Sequence, residues 1–205
     1  MKPTTVSPKA LVRRVPFAIA LTLAIILAGL WSGSWAHPID PAFIARWGFG
    51  FPDFADGHIW SLFTQVFFTD RPFMFWGIVP FAAIVIGTYE WTFGSRRALI
   101  VFWVGNLLGS LIISGCLVGG LYAAGAEIGA RWALSHDVGM SGGGFAVLGA
   151  YVYQMHRRWL WTGLIAASVV IKAIIMFEPQ ADALHTLSYC IGWCLHQRWK
   201  AARAE

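Results

Sequence analysis

The sequence predicts an all-α membrane protein whose chain crosses the bilayer six times. Of its 205 residues, 58% are hydrophobic and only 12% are charged, and the mean hydropathy is +0.62. Soluble domains carry about 25% charged residues, so this chain is depleted roughly twofold. We find no internal repeat, and we expect one membrane domain over residues 15–197.

Six apolar segments follow one another along the chain, and each is close to the ~20 residues that cross ~30 Å of hydrocarbon. They are 15–31, 73–91, 98–124, 138–155, 159–177 and 183–197. The last is short, which a locally thinned bilayer accommodates. The first follows basic residues, as a signal peptide does. It is long for one, however, and the possible cleavage site at Ser34-Trp35-Ala36 is weak, so we expect a retained helix.

The positive charges predict the orientation of these segments. Eleven basic residues lie in the links on one side of a six-span topology: Lys2, Lys9, Arg13, Arg14, Arg96, Arg97, Arg157, Arg158, Arg198, Lys200 and Arg203. The opposite side carries Arg46, Arg71 and Arg131 and most of the acids. The positive-inside rule then puts both tails, 1–14 and 198–205, in the cytoplasm of a multi-pass cell-membrane protein. Lys172, the one charge well inside a segment, is expected to extend outward.

The link at 32–72 is long and aromatic, and we expect it to lie partly embedded at the outer surface, because aromatic rings favour the membrane interface.

The net charge of +5 does not indicate a nucleic-acid partner, since the basic residues form short clusters between apolar segments. Cys116, Cys190 and Cys194 match no metal-binding spacing and are interpreted as packing residues. The sequence predicts no metal and no cofactor.

Two polar side chains occupy matching positions in two apolar segments. Ser141 follows Asp137, and His185 follows Asp182, by about one helical turn. Both segments run inward from the outer side, so each side chain is expected ~5–6 Å below its aspartate, near the outer surface. A serine and an imidazole at one depth provide a nucleophile and its base.

Small residues surround both positions. Gly139, Gly142, Gly143 and Gly144 flank Ser141, while Ser188 and Gly192, which are four residues apart, follow His185. We expect Gly139, Gly142, Ser188 and Gly192 to bring the two helices close together. A purely structural interpretation remains open, with glycines for close packing and a histidine that only packs.

The chain resembles the rhomboid family of intramembrane serine proteases in its six-span bacterial form, over roughly 59–197. Gly139-Met140-Ser141-Gly142 matches the family's G-x-S-G motif on the fourth span, and His185 with Ser188 and Gly192 matches part of the motif on the sixth. Further matches at the family's spacing are Ile59-Trp60, Phe63-Thr64, Glu90 and Gly94-Ser95. The resemblance implies a Ser141–His185 dyad, with Phe145 stacked on the histidine where many members have a tyrosine.

Departures from the family concern the oxyanion site. The family's Trp-Arg pair reads here as Trp60-Ser61, and its second-span histidine and asparagine are replaced by Met74 and Ile78. Loss of one oxyanion donor typically lowers turnover ~10²–10³-fold. The backbone N–H groups of Met140 and Ser141 remain as donors. Gln65, Trp76 and His136 are possible substitutes.

Three functions remain open. The first is a serine endopeptidase that cleaves transmembrane or membrane-adjacent segments of other proteins. The second is a catalytically impaired relative that binds transmembrane helices without cutting them, which the missing donors favour. The third, a transporter or channel component, predicts charged or polar residues that line several spans, and only Lys172, Asn106 and Glu90 offer themselves for that role. The oligomeric state and the substrate are left undetermined by the sequence.

Overall fold

The computed structural model describes residues 12–202, which form an all-α bundle. The helices are α1 (Pro16–Ser32), α2 (Pro41–Trp47), α3 (Phe51–Asp56), α4 (Ser61–Thr64), α5 (Pro72–Phe93), α6 (Ser95–Ala123), α7 (Glu127–Trp132), α8 (Ser141–Gln154), α9 (Arg158–Ile175) and α10 (Pro179–Ala201). Two short strands, β1 (Phe49–Gly50) and β2 (His136–Asp137), pair antiparallel. The predicted tails 1–14 and 198–205 fall partly outside the described residues.

Three helices among the described residues are long and apolar enough to cross a membrane: α5, α6 and α9. They correspond to the predicted segments 73–91, 98–124 and 159–177. Helix α1 is apolar but has 17 residues, and α8 has only 14, about 21 Å at the usual rise. Helix α10 has 23 residues, including three charged side chains in its terminal turns. These apolar helices indicate a membrane protein, and the six-span topology stays a prediction.

Glycines allow α8 to lie directly against its neighbours in the centre of the bundle. A Cβ atom at Gly143 would lie 2.5 Å from the Phe102 ring of α6. Gly149 faces the Tyr189 carbonyl of α10, and Gly192 of α10 faces the Ala146 carbonyl of α8, both closer than a side chain permits. The backbones therefore approach as membrane helices with small residues do. Helix α9, in contrast, has no buried residue and lies at the periphery.

Glu90 joins α1 to the rest of the bundle. Its carboxylate is fully buried and accepts hydrogen bonds from the backbone N–H groups of Phe17 (2.9 Å) and Ala18 (2.7 Å), in the first turn of α1. An anion is stabilised there by the helix dipole and by donors that have no partner within the helix. The first apolar segment is thus an integral part of the packed bundle.

The aromatic link 32–72 is folded onto one end of the bundle. Trp47 makes ring contacts with Trp31, Phe43, Trp60 and Phe68, at centroid distances of 5.7 to 6.2 Å. Strand β1 in this link pairs with β2, with Phe49 opposite Asp137. Since β2 lies just before α8, the pairing fixes the position of the chain that enters this helix.

Charged side chains separate to the two ends of the bundle. At one end, Arg14 lies over Trp91, Arg97 over Trp199 and Lys200 near Tyr153. At the other end, Arg71 and Lys172 form ion pairs with acidic side chains. Lys172 extends to the end of the bundle where Glu178 and Asp182 lie, and the membrane face of that end stays a prediction.

Candidate active site

Ser141 and His185 line one cavity of about 620 Å³, which we call the Ser141 cleft. Its walls come from α5, the β2 segment, α8, the end of α9 and the start of α10. Leu184, which precedes His185, packs next to Gly142, which follows Ser141. A Cβ atom at Gly142 would lie 3.5 Å from both methyl groups of Leu184. Gly142 and Leu184, the residues beside Ser141 and His185, are therefore near neighbours across α8 and α10.

Ser141 is the first residue of α8, so the helix begins later than the predicted segment 138–155. Gly139 precedes the helix, with a φ of +133° that L side chains rarely adopt. Its N–H donates to the Gln65 carbonyl (2.8 Å), and a Cβ atom there would lie 2.5 Å from the Met74 methyl group. Gly139 therefore shapes the turn into α8, whereas the sequence had suggested a helix-packing role.

Phe145 lies one turn after Ser141 and holds the imidazole of His185. The two ring centroids are 4.3 Å apart and the ring planes differ by 10°. The Nε2 atom of His185 is buried and has no hydrogen-bond partner among the described residues, so it is not bonded to the Ser141 hydroxyl in this arrangement. Catalytic hydrogen bonds are often open until substrate is bound. The geometry leaves Nε2 able to accept a proton.

The other predicted packing residues divide between two helices. Gly192 packs against α8 at Ala146, as expected. Ser188 instead packs against α6, where its hydroxyl donates to the Gly105 carbonyl (3.2 Å) and lies over Gly109. The small residues of α10 thus contact two different helices, α6 through Ser188 and α8 through Gly192. Their spacing of four in the sequence does not show which helix each one contacts.

Backbone N–H groups are available at the N-terminus of α8. No side chain caps this helix at Met140, and the first N–H groups of a helix have no partner within it. Those of Met140 and Ser141 lie at this end of the helix. Met74 and Ile78 line the cleft and pack beside Gly139, and neither side chain can donate a hydrogen bond.

Of the three possible substitute donors, His136 alone lines the cleft, and its Nε2 lies 3.2 Å from Asp53. Gln65 is buried, and its amide donates to Ser110 (3.2 Å) and to the Leu62 carbonyl. Trp76 is 62% exposed and donates to the Trp35 carbonyl. Gln65 and Trp76 are thus engaged elsewhere.

An ion-pair network borders the cleft, and the sequence did not predict it. Arg71 binds Asp70 (2.6 Å) and Glu178 (3.0 Å), while Lys172 binds Glu178 and Asp182, both at 2.8 Å. Burial by itself raises the pKa of Glu178, but the Lys172 ammonium and the Arg71 guanidinium outweigh it and hold this pKa below its usual value. Arg71 and Glu178 are 107 positions apart in the sequence, so only folding joins the two halves of the network.

Asp137 also lines the cleft, four residues before Ser141. Its Oδ1 accepts a hydrogen bond from the Val138 N–H (2.9 Å). Burial raises the pKa of Asp137 to about 6, against the effect of the Val138 N–H, and the nearby carboxylates of Asp70 and Glu178 raise it further. In the sequence analysis, Asp137 served only to estimate the depth of Ser141 in the membrane.

Metal ligation has no support in residues 12–202, where no group of three or more His, Cys, Asp or Glu side chains is arranged to hold an ion. The three cysteines are free and exposed.

The assignment of a function rests on the geometry of the Ser141 cleft, because comparison with known proteins found no match: no protein-family model matches the chain, and no curated protein matches it.

Proposed function

We propose that this chain is a rhomboid-like intramembrane serine protease that cleaves transmembrane or membrane-adjacent segments of other proteins through Ser141 and His185. The observation that carries the proposal is the buried, unpartnered Nε2 of His185 in the cleft that Ser141 also lines. A buried nitrogen without a hydrogen-bond partner costs free energy, and a catalytic role is one reason for a protein to keep such a group.

The reaction follows from these two groups. Nε2 of His185 accepts the proton as the Ser141 Oγ attacks the carbonyl carbon of the scissile peptide bond. Collapse of the tetrahedral intermediate breaks the C–N bond, and the imidazolium gives its proton to the leaving amine. Water then hydrolyses the acyl-enzyme, again with His185 as base. Phe145 keeps the imidazole plane fixed throughout.

The intermediate's oxyanion would rely on the backbone N–H groups of Met140 and Ser141. These groups lie at the positive end of the α8 dipole, which favours a developing negative charge. Because Met74 and Ile78 add no donor, we expect a slow enzyme.

The proposed topology has six spans, both termini in the cytoplasm and the Ser141 cleft toward the outer face of the cell membrane. The support is the separation of charge, with Arg14, Arg97 and Lys200 at the bundle end opposite Arg71 and Lys172. Water for hydrolysis would then enter from outside.

A second candidate function is a relative without protease activity that binds transmembrane helices. The observation that favours it is the pair of apolar side chains, Met74 and Ile78, packed beside Gly139 where side-chain donors would assist catalysis. The preserved stack of Phe145 on His185 favours the enzyme.

Labelling with a fluorophosphonate probe distinguishes the two. The wild-type protein in detergent should be labelled, the Ser141→Ala variant should not, and Ser168→Ala, which removes an exposed serine of α9, should label like wild type. Absence of wild-type labelling would favour the binding protein.

A further inference from the structure

The charges that line the Ser141 cleft do not balance. Three carboxylates, from Asp70, Asp137 and Glu178, face two cations, Arg71 and Lys172. Both cations are already engaged, Arg71 by Asp70 and Glu178, and Lys172 by Glu178 and Asp182. Asp137 is thus a carboxylate of the cleft that forms no ion pair among the described residues, and the Lys172 ammonium acts on it only from a distance.

The carboxylate of Asp137 is held in place by the backbone. Its residue pairs with Phe49 across the β1–β2 ladder, and its Oδ1 accepts the Val138 N–H. This single hydrogen bond leaves most of the acceptor capacity of a carboxylate unused. The Asp137 carboxylate is therefore fixed in position and can accept further hydrogen bonds.

Other atoms of cleft residues are also incomplete. Asp70 Oδ1, Gln180 Nε2 and His185 Nε2 are buried and have no hydrogen-bond partner within residues 12–202. Buried polar atoms normally have partners. Gln180 Nε2 is itself a donor and His185 Nε2 is the proposed base, so a cation is not needed by either. Asp70 Oδ1 and the open acceptor positions of Asp137 are the atoms that a donor with positive charge would complete.

We propose that Asp137 determines substrate specificity by binding a basic side chain, lysine or arginine, of the polypeptide that enters the cleft. This inference rests on the proposed function and names a feature of its substrate. A cationic side chain makes charge-assisted hydrogen bonds to the carboxylate. Its aliphatic stem fits against the apolar cleft side chains Met74, Ile78 and Phe145. An acidic side chain at the same place is repelled.

The test uses the full chain in detergent without aminolipids, with Ser141→Ala in every protein so that binding is measured without cleavage. Labelled peptides carry one lysine at successive positions of an otherwise neutral sequence, and a norleucine series serves as the neutral reference. Fluorescence anisotropy gives the affinities. Asp137→Asn removes the charge but keeps an oxygen for the Val138 N–H, Asp137→Glu keeps the charge, and Asp56→Asn removes an exposed acid away from the cleft.

For at least one lysine position, we expect Asp137→Asn to weaken binding about tenfold or more, as loss of a charge-assisted hydrogen bond does. Asp137→Glu should retain most of the affinity, Asp56→Asn should retain all of it, and the norleucine peptides should not distinguish the proteins. If lysine peptides bind no better than norleucine peptides at any position, or fail to bind at all, the inference is wrong.

Failure of this inference and failure of the proposed function give different results. Ser141 labelling by a fluorophosphonate without any Asp137-dependent lysine preference would leave the protease and remove the specificity role. Asp137-dependent lysine binding without serine labelling would support a cleft that binds basic segments but does not hydrolyse them.

Discussion

The ring of Phe145 lies parallel to the imidazole of His185, with centroids 4.3 Å apart and planes 10° apart. Phe145 is one turn beyond Ser141 on α8, so the helix that carries the proposed nucleophile also orients the proposed base. The stack forms with a phenylalanine ring, which has no hydroxyl group.

Loss of this stack should slow the reaction. An aromatic pair contributes about 0.5–1.5 kcal/mol beyond its buried area, so Phe145→Leu should lower the rate of serine labelling about two- to tenfold. Phe145→Tyr keeps the ring and should retain the wild-type rate. Rates of fluorophosphonate labelling, measured on purified proteins with equal thermal stability, provide the comparison. Equal rates for Phe145→Leu and wild type would remove the positioning role.

Side-chain donors on α5 should accelerate catalysis. Met74 and Ile78 lie beside Gly139, so Met74→His with Ile78→Asn places donors next to the first turn of α8. Each donor contributes up to ~3–4 kcal/mol at the transition state, and leaving it unpaired in the resting protein costs ~1–3 kcal/mol. We expect faster cleavage of a transmembrane reporter at equal membrane expression. Met74→Leu with Ile78→Val is the apolar control and should give no gain; a gain there too would show that the donors are irrelevant.

Asp137 should make the protein less stable as pH rises from about 4 to 6. Burial raises its pKa from the usual value of 3.8 to about 6 in the folded protein, so the folded state binds the proton more tightly than the unfolded state. Its stabilising effect is complete below pH 4 and is lost above pH 6. Asp137→Asn should therefore raise the apparent unfolding temperature relative to wild type more at pH 7.5 than at pH 4.5. An equal difference at both pH values would contradict this assignment.

The topology is tested with single cysteines, after Cys116, Cys190 and Cys194 are replaced by serine. Asp56→Cys in α3 and Arg157→Cys before α9 are both exposed sites. An impermeant maleimide should label the first in intact cells and the second only after lysis, because the basic links are expected in the cytoplasm. The reverse pattern would place the cleft on the inner face.

The sequence predicted the local features of the site better than the distant ones. The resemblance implied that Phe145, one turn after Ser141, stacks on His185, and the two rings lie parallel in the structure. The start of α8 was misplaced because the glycine at 139 suits a helix–helix contact and a positive-φ turn equally well. The hydrogen bonds of Glu90 to α1 join residues more than 70 positions apart, and no local pattern indicates them.

Membrane spans were also only partly predictable. A hydropathy pattern identifies α5, α6 and α9, which present apolar side chains to their surroundings. Helices α8 and α10 pack closely through glycines and small residues, so their sequences need less hydrophobicity. The sequence also did not indicate that Asp137 forms no ion pair. That follows from the fold, in which Arg71 and Lys172 are bound by other acidic side chains.

The central claim is that Ser141 and His185 act as one catalytic unit. The most direct measurement is the initial rate of cleavage of a transmembrane reporter by wild type, Ser141→Ala, His185→Ala and the double variant, at equal membrane expression. Each single substitution should abolish cleavage, and the double variant should be no slower than either single one, because residues of one catalytic unit are strongly non-additive. Cleavage by Ser141→Ala at the wild-type rate would contradict the claim.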